Sequence, residues 1–327
     1  MKRPRMSRKA FISITAISGA ALALGLPTLD KLRLISKSQI LMGTHVNLTL
    51  ISSQQGSGNQ AAEACLAKMA GLEQVLSRHM PSSQVSILNH SGFLVNPHTA
   101  LKELINQSRE LSDLSSGAFD ITVKPLQDLY QNTGGAPAPK QVQDVLQLVN
   151  YHNLILDENK VRLAKTGMAI TLDGIAKGYI VDKGVRLLQL AGFKNVLVEA
   201  GGDLTASGEK AHNTPWRIGL QDPRGELGQI LTRVKLKNRS LATSGDYLQS
   251  YTPDFCSHHI IDPRNGYSSP DFASVSVLAN SAALADGLAT AVMVMGMDGM
   301  ELLETLDNTE GYIVKKDGQT HQTSSFF

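Results

Sequence analysis

Apolar positions along the chain change period several times, and these changes divide it into helices and strands. From Gln60 onward Cys65, Met69, Leu72 and Leu76 recur at helical spacing. Thr99 to Ser115 carries Leu101, Leu104, Ile105, Ser108 and Leu111 on one stripe, and Gly117 follows as a helix stop. A third helix follows Gly174 and runs to Leu190, stopping at Gly192. A fourth, built of small residues, runs to Met295 behind Ser281 as its N-cap. Extended segments are predicted at Gln39 to Ile51, with Met42-Gly43-Thr44 inside, and at Met168 to Leu172, Asn195 to Glu199 and Trp216 to Leu220. Others are predicted at Ile230 to Leu236, His258 to Ile261 and Phe272 to Leu278, and Leu154 to Leu163 reads as a hairpin. Gln54 to Asn59 and Thr133 to Lys140 read as loops. Consecutive strands interspersed with helices predict an α+β fold with mainly antiparallel sheets flanked by helices.

The first residues depart from this pattern. Met1 to Lys9 hold five basic side chains and no acid, and Phe11 to Leu26 carry no charge. Residues 1–26 therefore read as an export signal, with Ala21-Leu22-Ala23 as a cleavage site and an uncleaved anchor as the competing reading. Ser7-Arg8-Lys9-Ala10-Phe11-Ile12 resembles a twin-arginine signal with Lys in the second basic place, which predicts a periplasmic protein. Residues 27–38 read as a polar linker, and 39–327 as the working domain. The chain has 327 residues and a net charge of +2, with acids and bases mixed, so a nucleic-acid surface is not indicated. Two cysteines, Cys65 and Cys256, lie too far apart in sequence to suggest a metal site, while a disulfide between them stays open.

Several segments carry chemistry. Asp286 and Thr290 stand four apart on the small-residue helix and so share a face. A buried lone carboxylate needs a partner, and carboxylate plus hydroxyl is a hard oxygen set suited to magnesium. The alternative is that Asp286 meets a buried Arg or caps a loop while Thr290 packs. Thr171-Leu-Asp173-Gly174-Ile-Ala-Lys177-Gly178 brings a strand through a glycine turn into a helix. Such a start offers N–H groups and a positive dipole to an anion, with Lys177 adding charge; the alternative is a plain turn with Lys177 in solvent. Gly117-Ala118-Phe119-Asp120-Ile-Thr122 and Glu199-Ala-Gly201-Gly202-Asp203 are polar, glycine-bearing segments at element ends. Ser244-Gly245-Asp246-Tyr247 precedes His258-His259-Ile260-Ile-Asp262-Pro263-Arg264-Asn-Gly266. His259 is the best candidate for a general base, against a purely structural role, and Asp262 either orients a ring or holds a turn. A metal pair made of His258 and His259 is disfavoured because neighbours on a strand point oppositely.

In their order along the chain these motifs resemble the FAD:protein FMN transferase, or ApbE-like, family. The similarity runs from about Met42 to Thr290, through Met42-Gly43-Thr44, Ser77 to Asn89, Gly117 to Thr122, Asp173 to Gly178, Gly201-Gly202-Asp203, Thr243 to Asp246, His259 to Pro263 and Ala285 to Thr290. The resemblance implies a two-lobed fold with the ligand cleft between the lobes. It implies that Asp286, Thr290 and the Gly174 carbonyl hold Mg2+ on the FAD diphosphate. Met42, His79, Ala118, Phe119, Asp120, Thr171, Lys177 and the backbone near Ile260 would line the dinucleotide. His259 would deprotonate a Thr or Ser hydroxyl on an exported or membrane flavoprotein subunit, FMN would pass to it, and AMP would leave. Hydrolysis of FAD to FMN and AMP and non-catalytic FAD binding are the alternatives. Four positions depart from the common pattern: His79 stands where many members carry an aromatic, Thr171 where many carry Asp, Tyr130 for Trp and Asn265 for Thr.

Overall fold

The computed structural model describes residues 32–210, 213–226 and 228–326. The predicted export signal and the first part of the linker, through residue 31, lie outside the described residues. The remainder of the predicted linker is strand. β1 (Arg33–Leu41) and β2 (Thr44–Ser52) pair antiparallel from Arg33↔Ser52 to Leu41↔Thr44. The segment read as one strand is thus a hairpin, turned by Met42 (φ 54°) and Gly43 (φ 70°). Positive φ at both central residues is the turn whose twist matches a two-residue hairpin. β1 was hidden from periodicity because it is an edge strand, with Leu34 and Ile40 exposed and Ile35 and Leu41 buried.

After α1 (Gln55–Leu76) come α2 (Gln84–Ser91), β3 (Phe93–Val95), α3 (Thr99–Leu114), α4 (Lys124–Asn132), α5 (Pro139–Leu146), β4 (Leu154–Leu156) and β5 (Lys160–Leu163). Then follow α6 (Ala176–Leu190), β6 (Val196–Ala200), β7 (Asp203–Ser207), β8 (Trp216–Gln221), β9 (Ile230–Leu236), β10 (Arg239–Gly245), β11 (Phe272–Ala279), α7 (Ala282–Met295), α8 (Met297–Thr305), β12 (Glu310–Lys315) and β13 (Thr320–Gln322). Gln55 to Asn59, read as loop, forms the first turn of α1. Met168 to Leu172 is not a strand. Its backbone groups go elsewhere: Ile170 N–H donates to Asn89 Oδ1 at 2.7 Å, Asn89 Nδ2 to the Ile170 carbonyl at 2.8 Å, and Thr171 N–H to the Ile121 carbonyl at 2.8 Å. His258 to Ile261 likewise makes only isolated bridges, Ser250↔His258 and Ile261↔Ser268.

The eight-stranded sheet has the order β1-β2-β6-β7-β10-β11-β12-β13 and is antiparallel throughout. Its strands alternate between two faces, as the pleat requires. Val46, Leu48, Leu50, Val196, Val198, Ala242, Val275 and Val277 join one large core with α1, α6 and α7, and the small sheet β3-β5-β4 shares that core through Leu94, Leu154 and Val161. Leu204, Leu241 and Leu278 face the other way, onto Trp216, Ile218 and Val234 of the β8–β9 hairpin. α4 and α5 form a third cluster around Leu126, Val142 and Ile261.

α7 is buried on almost every side, as a helix walled in by a sheet and other helices must be. Its Ala and Gly residues let backbones come close, and the closest approach is at Gly178 of α6. A Cβ there would lie 2.7 Å from Ala283 N and nearer still to the Ala282 carbonyl. The two helices are tied again at Asp182, which accepts from the N–H groups of Ala282 and Ala283 at 2.9 Å each and from Thr205 Oγ1 at 3.0 Å. Ser281 is the N-cap of α7, accepting from Leu284 N–H at 3.3 Å. Among the described residues no helix is long and apolar enough to cross a membrane. Cys65 and Cys256 are free: burial in the α1–α6 contact pushes the Cys65 thiol up to about 12, and Cys256 is exposed.

Candidate active site

Asp286 is the charged side chain of a helix otherwise made of apolar and small residues, and it is 3 % exposed. Its Oδ2 accepts from Gly178 N–H at 3.2 Å and lies 3.7 Å from Lys177 Nζ. Lys177 reaches further, to a second buried carboxylate, Asp203, with which it forms a short charged hydrogen bond. Asp203 is 1 % exposed and also accepts from Thr243 N–H at 3.4 Å. The partner of Asp286 is thus a lysine from the next helix, and neither the buried arginine nor the solvent-facing Lys177 of the alternative readings is found. Burial, then the neighbouring Asp203 carboxylate, raises the Asp286 carboxyl well above the usual range, against the opposing pull of Lys177. Two buried carboxylates against one ammonium leave a place for further positive charge.

One turn along α7, Thr290 Oγ1 lies 3.1 Å from Ser244 Oγ. It also lies against Gly174: a Cβ at Gly174 would sit 2.9 Å from Thr290 Oγ1 and 3.4 Å from the Phe119 ring. Asp286, Thr290, Gly174, Lys177 and Phe119 are therefore brought together from three separate chain segments. Among the described residues no cluster of three or more His, Cys, Asp or Glu side chains is arranged to hold a metal ion. The donors that do converge are a carboxylate, a hydroxyl and backbone, which fits a hard divalent cation completing its shell with water or phosphate oxygens.

The turn before α6 is not a free anion cradle. Ile175 and Ala176 N–H both donate to the Leu172 carbonyl, at 3.0 and 2.8 Å, and Gly178 N–H is held by Asp286. Lys177 is the group there with charge to offer. Asp120 is buried and held by its own chain. Its Oδ1 accepts from Thr122 N–H and Thr122 Oγ1, each at 2.7 Å, and its Oδ2 accepts from Tyr151 N–H at 2.9 Å. Its carboxylate holds the turn from Ala118 to Val123 in shape, and that turn in turn presents Phe119 to Gly174 and the Ile121 carbonyl to Thr171. Thr171 Oγ1 accepts from Asp173 N–H at 3.2 Å, and Asp173 pairs with Arg78 Nε at 2.6 Å. His79, beside Arg78, is exposed. Met42 sits in its hairpin turn, partly packed against the main core.

The two histidines separate cleanly. His258 is fully buried; its Nε2–H donates to the Ser269 carbonyl at 2.9 Å, and its Nδ1 accepts from Ile260 N–H at 3.3 Å. Both ring nitrogens are thus used in holding the loop. His259 turns the other way. Its Nδ1–H donates to the Gln249 carbonyl at 3.1 Å, which leaves the lone pair on Nε2. Burial, then the His258 neighbour, lowers its pKa from 6.5 to about 4. Asp173 and Arg78 are close enough to act on its charge in opposite senses. The imidazole is therefore neutral at pH 7 and able to accept a proton. In the ligand-free protein the His259 ring resonances, followed by NMR, are expected to titrate near pH 4. Between pH 6.5 and 4 the unfolded chain binds a proton that the folded chain refuses, so His259 weakens the fold as pH falls through that window.

The loop around His259 is anchored by Asp246, fully buried, which takes Arg224 Nη1 and Nη2 at 2.8 and 2.6 Å. Asp262 resolves as a turn-holder: it accepts from Arg264 N–H and Nε–H at 2.9 Å each and from Asn265 Nδ2 at 3.0 Å. The departures at Tyr130 and Asn265 are built into this region, with Tyr130 OH donating to the Gly266 carbonyl at 3.0 Å. Glu199 was grouped with Asp203 in sequence, yet the two point to opposite faces of the sheet. Glu199 faces the β8–β9 side with Asn47, whose Nδ2 it accepts at 2.7 Å, and lines a separate cleft with Thr44, Gly202 and Tyr247. Asp203 is the site residue whose role sequence reasoning missed. Its signal was present: a lone acid following Gly-Gly at the start of a strand.

The ApbE family model matches residues 42–313. An FAD:protein FMN transferase of Haemophilus influenzae is 28 % identical, with 96 % of each chain covered. One from Vibrio cholerae is 29 % identical over 87 % of this chain and 89 % of its own. The crystal structure of an ApbE protein from Thermotoga maritima superposes with a TM-score of 0.81 at 31 % identity, covering 90 % of this chain and 98 % of the other. The flavin transferase ApbE of Vibrio cholerae superposes with a TM-score of 0.77 at 26 % identity over the same shares.

Proposed function

Because the chain belongs to the ApbE family of FAD:protein FMN transferases, we propose that it uses a divalent cation, Mg2+, to move FMN from FAD onto a Ser or Thr hydroxyl of a partner flavoprotein, releasing AMP. The observation that carries this reading is the pair of buried carboxylates around Lys177 with the Thr290 hydroxyl one turn away. Asp286, Thr290 and the Gly174 carbonyl would hold the cation, which when bound supplies positive charge to the diphosphate and to the departing AMP oxygen. Lys177 places its ammonium beside the same phosphates. Met42, His79, Ala118, Phe119, Asp120, Thr171 and the backbone near Ile260 would line the dinucleotide, and Phe119 packs against Gly174.

His259 supplies the proton acceptor. A hydroxyl is a weak nucleophile at neutral pH and is helped by a positioned base. The acceptor oxygen forms its bond to the FMN phosphorus, its proton passes to His259 Nε2, and the bond from that phosphorus to the bridging oxygen breaks. Gln249 fixes the tautomer that makes this possible, and Gln127 Nε2, donating to the His259 carbonyl at 3.0 Å, steadies the backbone. We place the reaction outside the cytoplasm, after export directed by residues 1–26, with an exported or membrane flavoprotein subunit as acceptor.

The test is incubation with FAD, Mg2+ and a flavoprotein subunit bearing a Ser/Thr acceptor, read by in-gel flavin fluorescence and mass spectrometry. Protein-bound FMN with AMP release is expected. Free FMN with no labelled protein would assign water as the acceptor, and no turnover of FAD would leave a binding protein. His259→Ala is expected to slow transfer by about a hundredfold or more while FAD still binds, as a steady-state rate and a fluorescence titration would measure.

A further inference from the structure

Asp203 lies beside the cation donors yet is not among them: its carboxylate grips Lys177 Nζ more closely than Asp286 does, at the short contact against 3.7 Å. We propose that Asp203 is a positioning residue that draws the Lys177 ammonium away from Asp286 and so keeps the Asp286 carboxylate available to a divalent cation. The inference rests on the reading of Asp286 and Thr290 as the cation site, and concerns what keeps that site open.

The geometry sets up a competition. Lys177 follows the Gly174 turn at the start of α6, and Asp286 faces that same turn, since Gly178 N–H donates to it. Asp203 comes from the first residue of β7, across from Ala200 in the β6–β7 pair, and points to the helix side of the sheet. Thr243 N–H, on β10, steadies it from below. A lysine between two buried carboxylates settles on the one that holds it better, because the ammonium is a compact point charge on a flexible stem. Without Asp203 the same ammonium, already 3.7 Å from Asp286, would close onto it. Lys177 would then act as a tethered cation in the place a free one needs. With Asp203 present the group holds one carboxylate more than it has ammonium, and Asp286, the more weakly paired of the two at 3.7 Å, is the one left to take a further cation.

The experiment is a titration of the purified protein with Mn2+ alone, with free Mn2+ counted by electron paramagnetic resonance and no FAD or acceptor added. Asp203→Asn is expected to weaken Mn2+ binding by about tenfold or more, although it removes no ligand. Lys177→Met is expected to tighten it, and adding Lys177→Met to Asp203→Asn is expected to restore affinity at least to the wild-type level. The comparison that separates positioning from direct ligation is the double variant against Lys177→Met alone: with no ammonium left to position, Asp203→Asn is expected to change Mn2+ affinity by less than about threefold. If Asp203 coordinates the ion, it costs about tenfold or more in that background too, and the inference fails. If Asp203→Asn does not fold, Lys177→Met still decides, because unchanged or weaker Mn2+ binding in that variant also overturns the inference. Wild-type protein that does not take up Mn2+ would remove the cation site itself, a failure of the underlying reading that is distinct from the other two.

Discussion

Asp286→Ala is expected to lower Mg2+-dependent FMN transfer by about a thousandfold or more, with the protein as stable as before or more so. The two halves of this expectation come from one fact. Asp286 is a carboxylate buried among alanines, beside a second carboxylate, and burial raises its pKa. Such a group costs folding free energy and persists for its function. Removing it takes away the anionic donor beside Thr290 and Gly174, and with it the charge that, in the proposed reaction, would hold a cation on the diphosphate. Cation stabilisation of this kind supplies several kcal/mol, and each factor of ten in rate is about 1.4 kcal/mol. Initial rates with FAD and a flavoprotein acceptor, at saturating Mg2+, would measure the loss, and a thermal melt of the same sample would measure the stability. A rate within about threefold of wild type would place the reactive centre elsewhere.

Gly178→Ala is expected to destabilise the fold by about 3 kcal/mol or more, through a single added methyl. The new carbon would collide with the Ala282 carbonyl and Ala283 N. These are backbone atoms at the start of α7, so no side chain can swing aside, and the helices must part. The midpoint of urea unfolding, at unchanged slope, would report the cost. Parting them also moves the Gly174 turn away from Asp286 and Thr290, so the surviving folded fraction should hold Mn2+ more weakly. Gly71, with open space where its Cβ would stand, is the control position: Gly71→Ala on α1 should leave Mn2+ binding unchanged and stabilise the fold by about 0.5–1 kcal/mol.

Much of this arrangement was legible in the residues. α3, α6 and α7 were readable because a stripe or a run of apolar positions ends at a glycine or begins at a serine cap. Asp286 and Thr290 were readable because an acid in a run of alanines has few physical explanations. Where the reading went astray, tertiary contacts had replaced local ones. Met168 to Leu172 looks like a strand, but its hydrogen bonds go to Asn89 and Ile121, partners that no period in the sequence announces. β1 looked like linker because an edge strand exposes half its apolar residues. Asp203 is legible as an acid after Gly-Gly, but its pairing with Lys177 is not, because the two lie 26 residues apart and only the fold places them in contact.

Asp182 binds the first N–H groups of α7, and Gly178 lets the same two helices touch a turn earlier. Fastened twice within four residues, α6 and α7 travel as one rigid bracket, so the spacing of the lysine and the acid it faces is fixed at folding rather than by ligand arrival. On the proposed reading a bound dinucleotide would meet a finished electrostatic frame, and any yielding needed to admit an acceptor protein would fall to the irregular stretch between β10 and β11 that carries His259.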